Sequence, residues 1–348
     1  MYTMNLSNLE NFILESLQAV GVDEKEAEIC AKNISFADKQ GTDTHGIMRV
    51  PVYIERLQSG AFNAKPDTKW AKETETIGVL DADNGMGHYP AQLAMEKAIE
   101  KAKEKGIGFA TLYNGNHIGA GACYAQMAAE QGMIGFITTN AGSLMAPSGG
   151  KERVLGNNPI CFSIPRRGKE PITLDIANSV VAGGKLQLAS SKGEDIPLGW
   201  ALDTEGNPTT DPDKGLEGTL VPIGGHKGYG LTLVMDILAG VLSGANYSKN
   251  ISLLDYDKPN KVGCTMIAIN INEIMPVDRF YDRLDDFTDM IVNSEKIDEN
   301  GHIYLPGEIE TMTKKKRLET GVDIADSLHE ELIQLCKDLN LDKEKYGL

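Results

Sequence analysis

The sequence predicts an α/β (α+β) protein in which a helical part, built from both ends of the chain, accompanies a glycine-rich sheet domain in the middle. Three observations carry this. Helical periodicity with capping signals fills the first sixty residues and returns in the last forty; short strand-like runs alternate with helices from about residue 76; and the 37 glycines concentrate at the turns between them. The expected division is 1–75 with 308–348 for the helical part and 76–307 for the sheet. A chain of 348 residues with 41% hydrophobic content is long enough for two packed units.

At the N-terminus, Ser7 with Glu10 reads as a capping box opening a helix whose Leu9, Phe12, Ile13 and Leu17 share a face until Gly21 stops it. Asp23 with Glu26 repeats the device for a second helix burying Ala27, Cys30, Ile34 and Ala37 and ending at Gly41. A third helix is expected near Pro51, because proline fits the first turn of a helix and clashes deeper in it. "GTDTHGIMRVP" (41–51) therefore places His45 and Arg49 in the entry to that helix.

The middle offers "TIGVLDAD", "IGFATLY", "MIGFITTN", "ICFSIP", "ITLDIA" and "TMIAIN" as strands, with helical patterns at Ala91–Lys105, Gly121–Glu130, Gly228–Leu242 and Val277–Val292. The polar stretch from Ser190 to Gly218 reads as a long irregular connection, too long for a simple turn and of the kind that carries function. After "YLPGEIE" come two more helices, Ile309–Glu319 and Ile324–Leu339, the second with Leu328, Leu332 and Leu335 on one face.

The net charge of −16, from 50 acidic against 34 basic residues, repels phosphate backbones and anionic lipid, so neither nucleic acid nor membrane is an expected partner. The one basic run, Lys314 to Arg317, reads as a solvated helix face. Five scattered cysteines without CxxC spacing suit reduced thiols, and the N-terminus, with Glu10 and Glu15 in its first apolar stretch, is not a signal peptide, so the expected location is cytoplasmic.

Several stretches can carry chemistry. "GAGACY" (119–124) lacks the third glycine of a dinucleotide fingerprint and no GxxxxGK[ST] occurs, which argues against a Rossmann first turn. "GGHKGYG" (224–230) is either a phosphate-binding turn with Lys227 as its cation or a glycine-rich helix start with Lys227 in water. His117, in "NGNHIGAG", is either a general acid or base or a helix-capping histidine. His45 and Arg49, four residues apart, are either a base beside a carboxylate clamp or an exposed helix-start pair. His45, His88, His117 and His226 show neither HxxxH nor HExxH spacing, so no metal is expected.

Taken in order, "DTHGIMRVPVY", "NHIGAGACYAQMAAEQGMIGF", "TTNA", "APSGGKERVLGNNPICFSIP", "LDIANS", "IPLGWALDTEGNPTTDP", "PIGGHKGYGLTLVMDILAGVLSGA" and "YLPGEIE" closely resemble the malate/L-lactate dehydrogenase family, which also holds ureidoglycolate, sulfolactate and diketogulonate dehydrogenases and is distinct from the Rossmann-fold enzymes. The resemblance runs collinearly from about residue 5 to residue 325. It implies a large mixed, mostly antiparallel sheet that binds NAD or NADP, with NAD favoured, and a homodimer acting on a small 2-hydroxy or 2-oxo acid. Malate is the first expectation and lactate, ureidoglycolate or sulfolactate the alternatives; a non-redox protein that binds a nucleotide or anion on the same sheet is the rival of another class. Carried over by motif, His45 and His117 would flank the reacting carbon and either could transfer the proton, while Asp175 could orient a histidine. Arg49 would hold the substrate carboxylate. Asn140, Asp175, Ile176, Ala177, Asn178, Ser179, Lys227, Pro306, Gly307 and Glu308 would line the cofactor. The chain departs from the family pattern at Asn157, Asn178 and Cys264, which bears on cofactor preference and substrate size more than on reaction class.

Overall fold

In the computed structural model, residues 2–252 and 258–348 are described. The chain runs β1 (Tyr2–Met4), α1 (Leu6–Ala19), α2 (Glu24–Gln40), two 3-10 turns (Asp43–His45 and Ile47–Arg49), α3 (Val50–Ser59), β2 (Lys69–Glu73), β3 (Ile77–Asp81), α4 (His88–Lys105), β4 (Ile107–Gly115), α5 (Ala122–Ala129) and β5 (Met133–Thr139). It continues through β6 (Ile160–Arg166), β7 (Lys169–Ile176), α6 (Gly183–Lys192), β8 (Ala201–Leu202), β9 (Pro208–Thr209), α7 (Pro212–Glu217), β10 (Thr219–Leu220), α8 (His226–Asp236), β11 (Val262–Asn270), α9 (Val277–Val292), α10 (Glu308–Thr320), β12 (Val322–Ile324), α11 (Asp326–Asp338) and α12 (Lys343–Tyr346).

Both N-terminal helices form where the apolar spacing puts them, but neither expected capping box does. Asn5, not Ser7, caps α1, its side chain accepting from the Asn8 N–H at 2.8 Å; asparagine there satisfies an orphan donor one turn before Glu10 could reach back. Asp23 occupies the cap position of α2 without a side-chain bond, and Glu26 is buried instead. Burial, and then the charge of Asp23, push its carboxyl up to about 8. Gly41, in the left-handed region at φ 83°, ends α2 and turns the chain into the 3-10 segment. Pro51 lies in the first turn of α3.

The central sheet has seven strands in the order β2-β3-β4-β11-β5-β6-β7. Only β3 and β4 pair in parallel, joined through α4; the other pairs are antiparallel. Helices α4 and α5 cover one face through a core that includes Leu80, Ala94, Ala98, Leu112, Tyr124, Ala125, Ile137 and Met266. They lie close because glycine faces them: a Cβ on Gly108 would stand 1.9 Å from the Ala98 carbonyl oxygen, and one on Gly135 2.3 Å from that of Ala125. On the other face Phe136, Ile160 and Met235 pack together, bringing in α8, whose axis runs on through a π turn at Ile237–Val241.

A second core joins the chain ends. Leu9, Phe12, Ile13, Ile34, Ile47, Tyr53 and Ile54 pack with Val322, Ile324, Leu332, Leu335 and Tyr346, and β1 pairs with β12 in a two-stranded ladder. Full burial of one such leucine or phenylalanine stabilises the fold by about 1.5–3 kcal/mol relative to exposure. The segment 190–218 is not the irregular connection expected. It contains α7 and part of a three-stranded sheet, order β10-β8-β9, which with α6 encloses Leu186, Ile196, Ala201 and Leu220. Its strands are two residues each, too short to show a period of two in the sequence. The basic run on α10 is likewise more than a solvated face: Lys314 meets Glu170 at 2.9 Å, and Arg317 bonds Asp43 and the Asp38 carbonyl, pinning α10 to the 3-10 segment.

Candidate active site

Asp38, near the end of α2, lies beneath the loop that carries the two sharpest candidates. Its carboxylate accepts the Ile47 N–H at 2.7 Å, and a Cβ on Gly46 would stand 2.0 Å from its Oδ1, so only glycine lets the backbone settle onto it. Burial is the main reason the Asp38 carboxyl is pushed up to about 8, against the Ile47 hydrogen bond. Gly46→Ala is expected to lower unfolding free energy by about 1–3 kcal/mol, the usual cost of overpacking. Denaturant titration beside activity measures this; an unchanged midpoint would mean that the loop is not held by this contact.

The two 3-10 turns place His45 and Arg49 side by side. Arg49 Nε donates to the Thr44 carbonyl at 2.7 Å, which fixes the stem of the side chain and leaves its two outer nitrogens without a hydrogen bond among the described residues. His45 Nδ1 lies 2.9 Å from the Thr44 hydroxyl. Across from it, the exit of β4 delivers His117, whose ring faces that of His45 at 5.3 Å and 25°. Tyr53, one turn beyond Arg49 on α3, reaches His117 Nδ1 with its hydroxyl at 2.6 Å. His88, at the start of α4, meets both rings edge-on, Tyr53 at 5.4 Å and His117 at 6.5 Å. A Cβ on Gly87 would stand 2.1 Å from the Asn116 carbonyl, so glycine permits this approach of α4 to the His117 loop.

All three histidines are held below their ordinary range, and by the same cause. Burial, then Arg49, pushes His45 down to about 4; burial, then His45, pushes His88 to about 3; and burial lowers His117 well below normal, with His45, Arg49, His88 and Arg56 adding to it. The cluster is thus a set of neutral imidazoles beside a fixed guanidinium, able to accept a proton and to grip a carboxylate. Among the described residues neither ring nitrogen of His88 has a hydrogen-bond partner. His45, His88 and His117 converge, which local spacing gave no hint of, while among the described residues no ring contact joins His226 to them. Among the described residues no group of three or more His, Cys, Asp or Glu side chains could hold a metal ion.

The residues expected around a cofactor gather along the end of β7. The Asp175 carboxylate accepts the Ala122 N–H at 2.8 Å, capping α5 five residues beyond His117; no hydrogen bond joins it to a histidine among the described residues. Desolvation of the carboxyl is the largest influence on Asp175 and, against the Ala122 hydrogen bond and with the charge of Glu310, raises it to about 6. Beyond Ile176 and Ala177, Asn178 bonds the Asn158 carbonyl at 2.6 Å, and its buried Oδ1 has no partner among the described residues. Ser179 bridges to Pro222 and the Ile223 N–H bonds the Asn178 carbonyl, which brings "DIANS" beside "GGHKGYG". Lys227 is exposed there, without an ion-pair partner among the described residues. Pro306 accepts the Thr173 N–H at 3.0 Å, Gly307 is left-handed at φ 87°, and Glu308 turns back to the Leu305 N–H and to His302, each at 3.0 Å. Asn140 spends its amide within the protein, on Gly263, Asp236 and Asn246. Cys264, in the middle of the sheet, is fully buried, and burial pushes its thiol up to about 12. Tyr53 and His88 are the residues that sequence reading did not place in the site, and no helix among the described residues is long and apolar enough to cross a membrane.

Comparison with known proteins gives a family and a fold. A family model described as malate/L-lactate dehydrogenase matches residues 4–333. The malate dehydrogenase of Pyrococcus abyssi is 39% identical over 337 residues, covering 94% of this chain and 92% of that protein. The L-sulfolactate dehydrogenase of Methanocaldococcus jannaschii is 40% identical over 339 residues, covering 97% and 98%. The solved sulfolactate dehydrogenase structure from M. jannaschii superposes with a TM-score of 0.93 at 39% identity, covering 99% of both chains. The ureidoglycolate dehydrogenase (NAD(+)) of Escherichia coli K12 is 32% identical over 327 residues, 93% of each chain.

Proposed function

The chain belongs to the malate/L-lactate dehydrogenase family and is an oxidoreductase of the hydroxy-acid class, and we propose that within it the protein interconverts malate and oxaloacetate with NAD, ahead of NADP. The observation that carries the reading is the pairing of two stacked, uncharged histidines with a tethered Arg49 whose outer nitrogens are unspent. A planar guanidinium holds a carboxylate through two hydrogen bonds, and a neutral imidazole beside it takes the proton of the neighbouring 2-hydroxyl. Burial serves both, since a water-poor site strengthens the Arg49 contact and keeps the histidines unprotonated until substrate arrives.

Three features support a nicotinamide dinucleotide as the cofactor. Gly224 and Gly225 have positive φ, at 60° and 64°, and open a turn at the start of α8 beside the exposed Lys227. Asn178 keeps a buried acceptor without a partner among the described residues. Asp175, Pro306, Gly307 and Glu308 share one edge with these through β7. When bound, the cofactor supplies the two-electron chemistry that no side chain of the cluster can. Lys227, the backbone of Ile176, Ala177 and Ser179, and the Asn178 amide would hold it, with Asn140 fixing the sheet behind.

The proposed substrate rests on Arg49 and "GGHKGYG", which look more like the malate and lactate members than the ureidoglycolate ones. The test is kcat/KM for oxaloacetate, pyruvate and 3-sulfopyruvate with NADH and with NADPH, followed by nicotinamide absorbance. Oxaloacetate with NADH is expected to lead. A higher value for 3-sulfopyruvate would displace malate as the substrate, and no turnover together with no cofactor binding would leave the non-redox, anion-binding reading. We propose a homodimer as the working form, because Leu231, Val234, Ile237 and Val241 stand 45–55% exposed at helical spacing along α8 and its π turn, an apolar stripe that a second copy would cover. Light scattering that returned the mass of one chain would refute it.

A further inference from the structure

His45 and His117 are chemically alike and both uncharged, and what separates them is the hydroxyl on each Nδ1. The hydroxyl on His45 belongs to Thr44, an exposed residue whose O–H rotates and can find water, so it accepts or donates equally well. The hydroxyl on His117 belongs to Tyr53, which is 2% exposed and enclosed by the rings of Phe62, His88 and His117. A buried O–H left without an acceptor costs about 1–3 kcal/mol. Among the described residues His117 Nδ1, at 2.6 Å, is the acceptor bonded to it, and burial pushes the phenol up, so the hydrogen stays on it. Nδ1 therefore offers its lone pair to Tyr53, and the single hydrogen of neutral His117 sits on Nε2.

We propose that Tyr53 is a positioning residue that locks His117 as its Nε2–H tautomer, so that His117 donates a hydrogen bond to the C2 oxygen of the substrate while His45 accepts the proton. The substrate half of this rests on the dehydrogenase reading; the tautomer does not. In the oxidative direction the C2 hydroxyl oxygen accepts from His117 Nε2–H, and its own hydrogen passes to His45 Nε2, giving an imidazolium. As the C2–H bond breaks, its hydrogen and electron pair would leave as hydride for the NAD or NADP of the proposed reaction; the oxygen keeps the His117 bond as it becomes a carbonyl oxygen, and His117 ends as it began. The surroundings favour this division. The fixed cations Arg49, from the 3-10 turns, and Arg56, from α3, both oppose a positive charge on His117, whereas of these two Arg49 alone does so for His45.

The experiment is a long-range proton–nitrogen correlation spectrum of the full chain with 15N-labelled histidine, the His117 signals assigned by their loss in His117→Gln. The expected wild-type pattern is a bare Nδ1 and a protonated Nε2, unchanged across neutral pH; a hydrogen on Nδ1 overturns the proposal. Tyr53→Phe, checked for folding by circular dichroism, is expected to mix the two tautomers and to lower kcat by about 2–10-fold, the size of one neutral hydrogen bond, with KM for the cofactor unmoved. The acid limb of the kcat/KM profile is expected to survive Tyr53→Phe, because His45 sets it; its loss there would hand the proton to His117 and overturn the assignment. The spectrum needs no turnover, so the two readings fail separately. The expected tautomer in a protein that turns over no hydroxy acid sinks the functional reading alone, and malate turnover with a protonated Nδ1 sinks this one.

Discussion

Replacing His45 by alanine is expected to lower kcat for malate oxidation by about 10²–10⁴-fold, the usual contribution of a positioned general base, with cofactor affinity close to that of the parent. Rapid-mixing measurement of the nicotinamide signal separates the chemical step from product release and checks this. The pH dependence follows from the direction of the shift. His45 is pushed down to about 4, so the neutral form that accepts a proton persists through mildly acidic solution, and kcat/KM for oxidation is expected to hold until that range before falling. Reduction runs the other way, since it needs the imidazolium, which a His45 held so low scarcely forms at neutral pH. A substrate carboxylate against Arg49 cancels the positive charge that helps to hold His45 down, so binding of the 2-oxo acid should draw a proton from solution. An unchanged kcat in His45→Ala would remove His45 from the reaction.

Arg49→Lys is the second large effect. The substitution keeps the charge but loses both the planar fork and the Nε–H that ties the side chain to the Thr44 carbonyl. A hydrogen bond to a charged group contributes about 1.5–3 kcal/mol, so KM for the acid should rise by roughly 10–100-fold. KM for the cofactor should stay within about twofold, because Arg49 stands at the entry to α3 and not along β7. Steady-state kinetics with each substrate varied in turn reads the split. A KM for the acid that does not move would take Arg49 out of the clamp.

The parts of this molecule that a linear reading recovers are those whose signal is local. Periodicity finds α1, α2 and α9, proline in the first turn places α3, and runs of β-branched and aromatic residues mark β4, β5 and β11. The misses have physical causes. β2 reads Lys-Trp-Ala-Lys-Glu because it is an exposed edge, where charge discourages further pairing and erases the apolar alternation. α6 buries only Leu186, too little to leave a stripe. In the candidate site, His45 and Arg49 were legible because they sit four residues apart, and His117 because it follows a strand and precedes a helix. Tyr53 looked like one more apolar position on α3, and its partner is 64 residues away. His88 opens a helix and gave no sign that it would meet His117 across 29 positions. Contacts of that kind are set by the packing of α3, α4 and β4, which no window of sequence contains.

One feature of the sheet bears on how the chain comes to be folded at all. β11, residues 262–270, is inserted between β4 and β5, the strands that leave the chain well before it. Until it arrives, both of those strands present a bare edge of unpaired N–H and carbonyl groups, and Asn140 lacks the Gly263 N–H that holds it. At a synthesis rate of about 5–20 residues per second, the interval between β5 and β11 is on the order of 10 s. A nascent chain emerging from the ribosome thus spends that time with two sticky edges and no closed sheet beneath the His117 loop, so a translational pause between residues 140 and 262 would raise aggregation, and one after residue 270 would not.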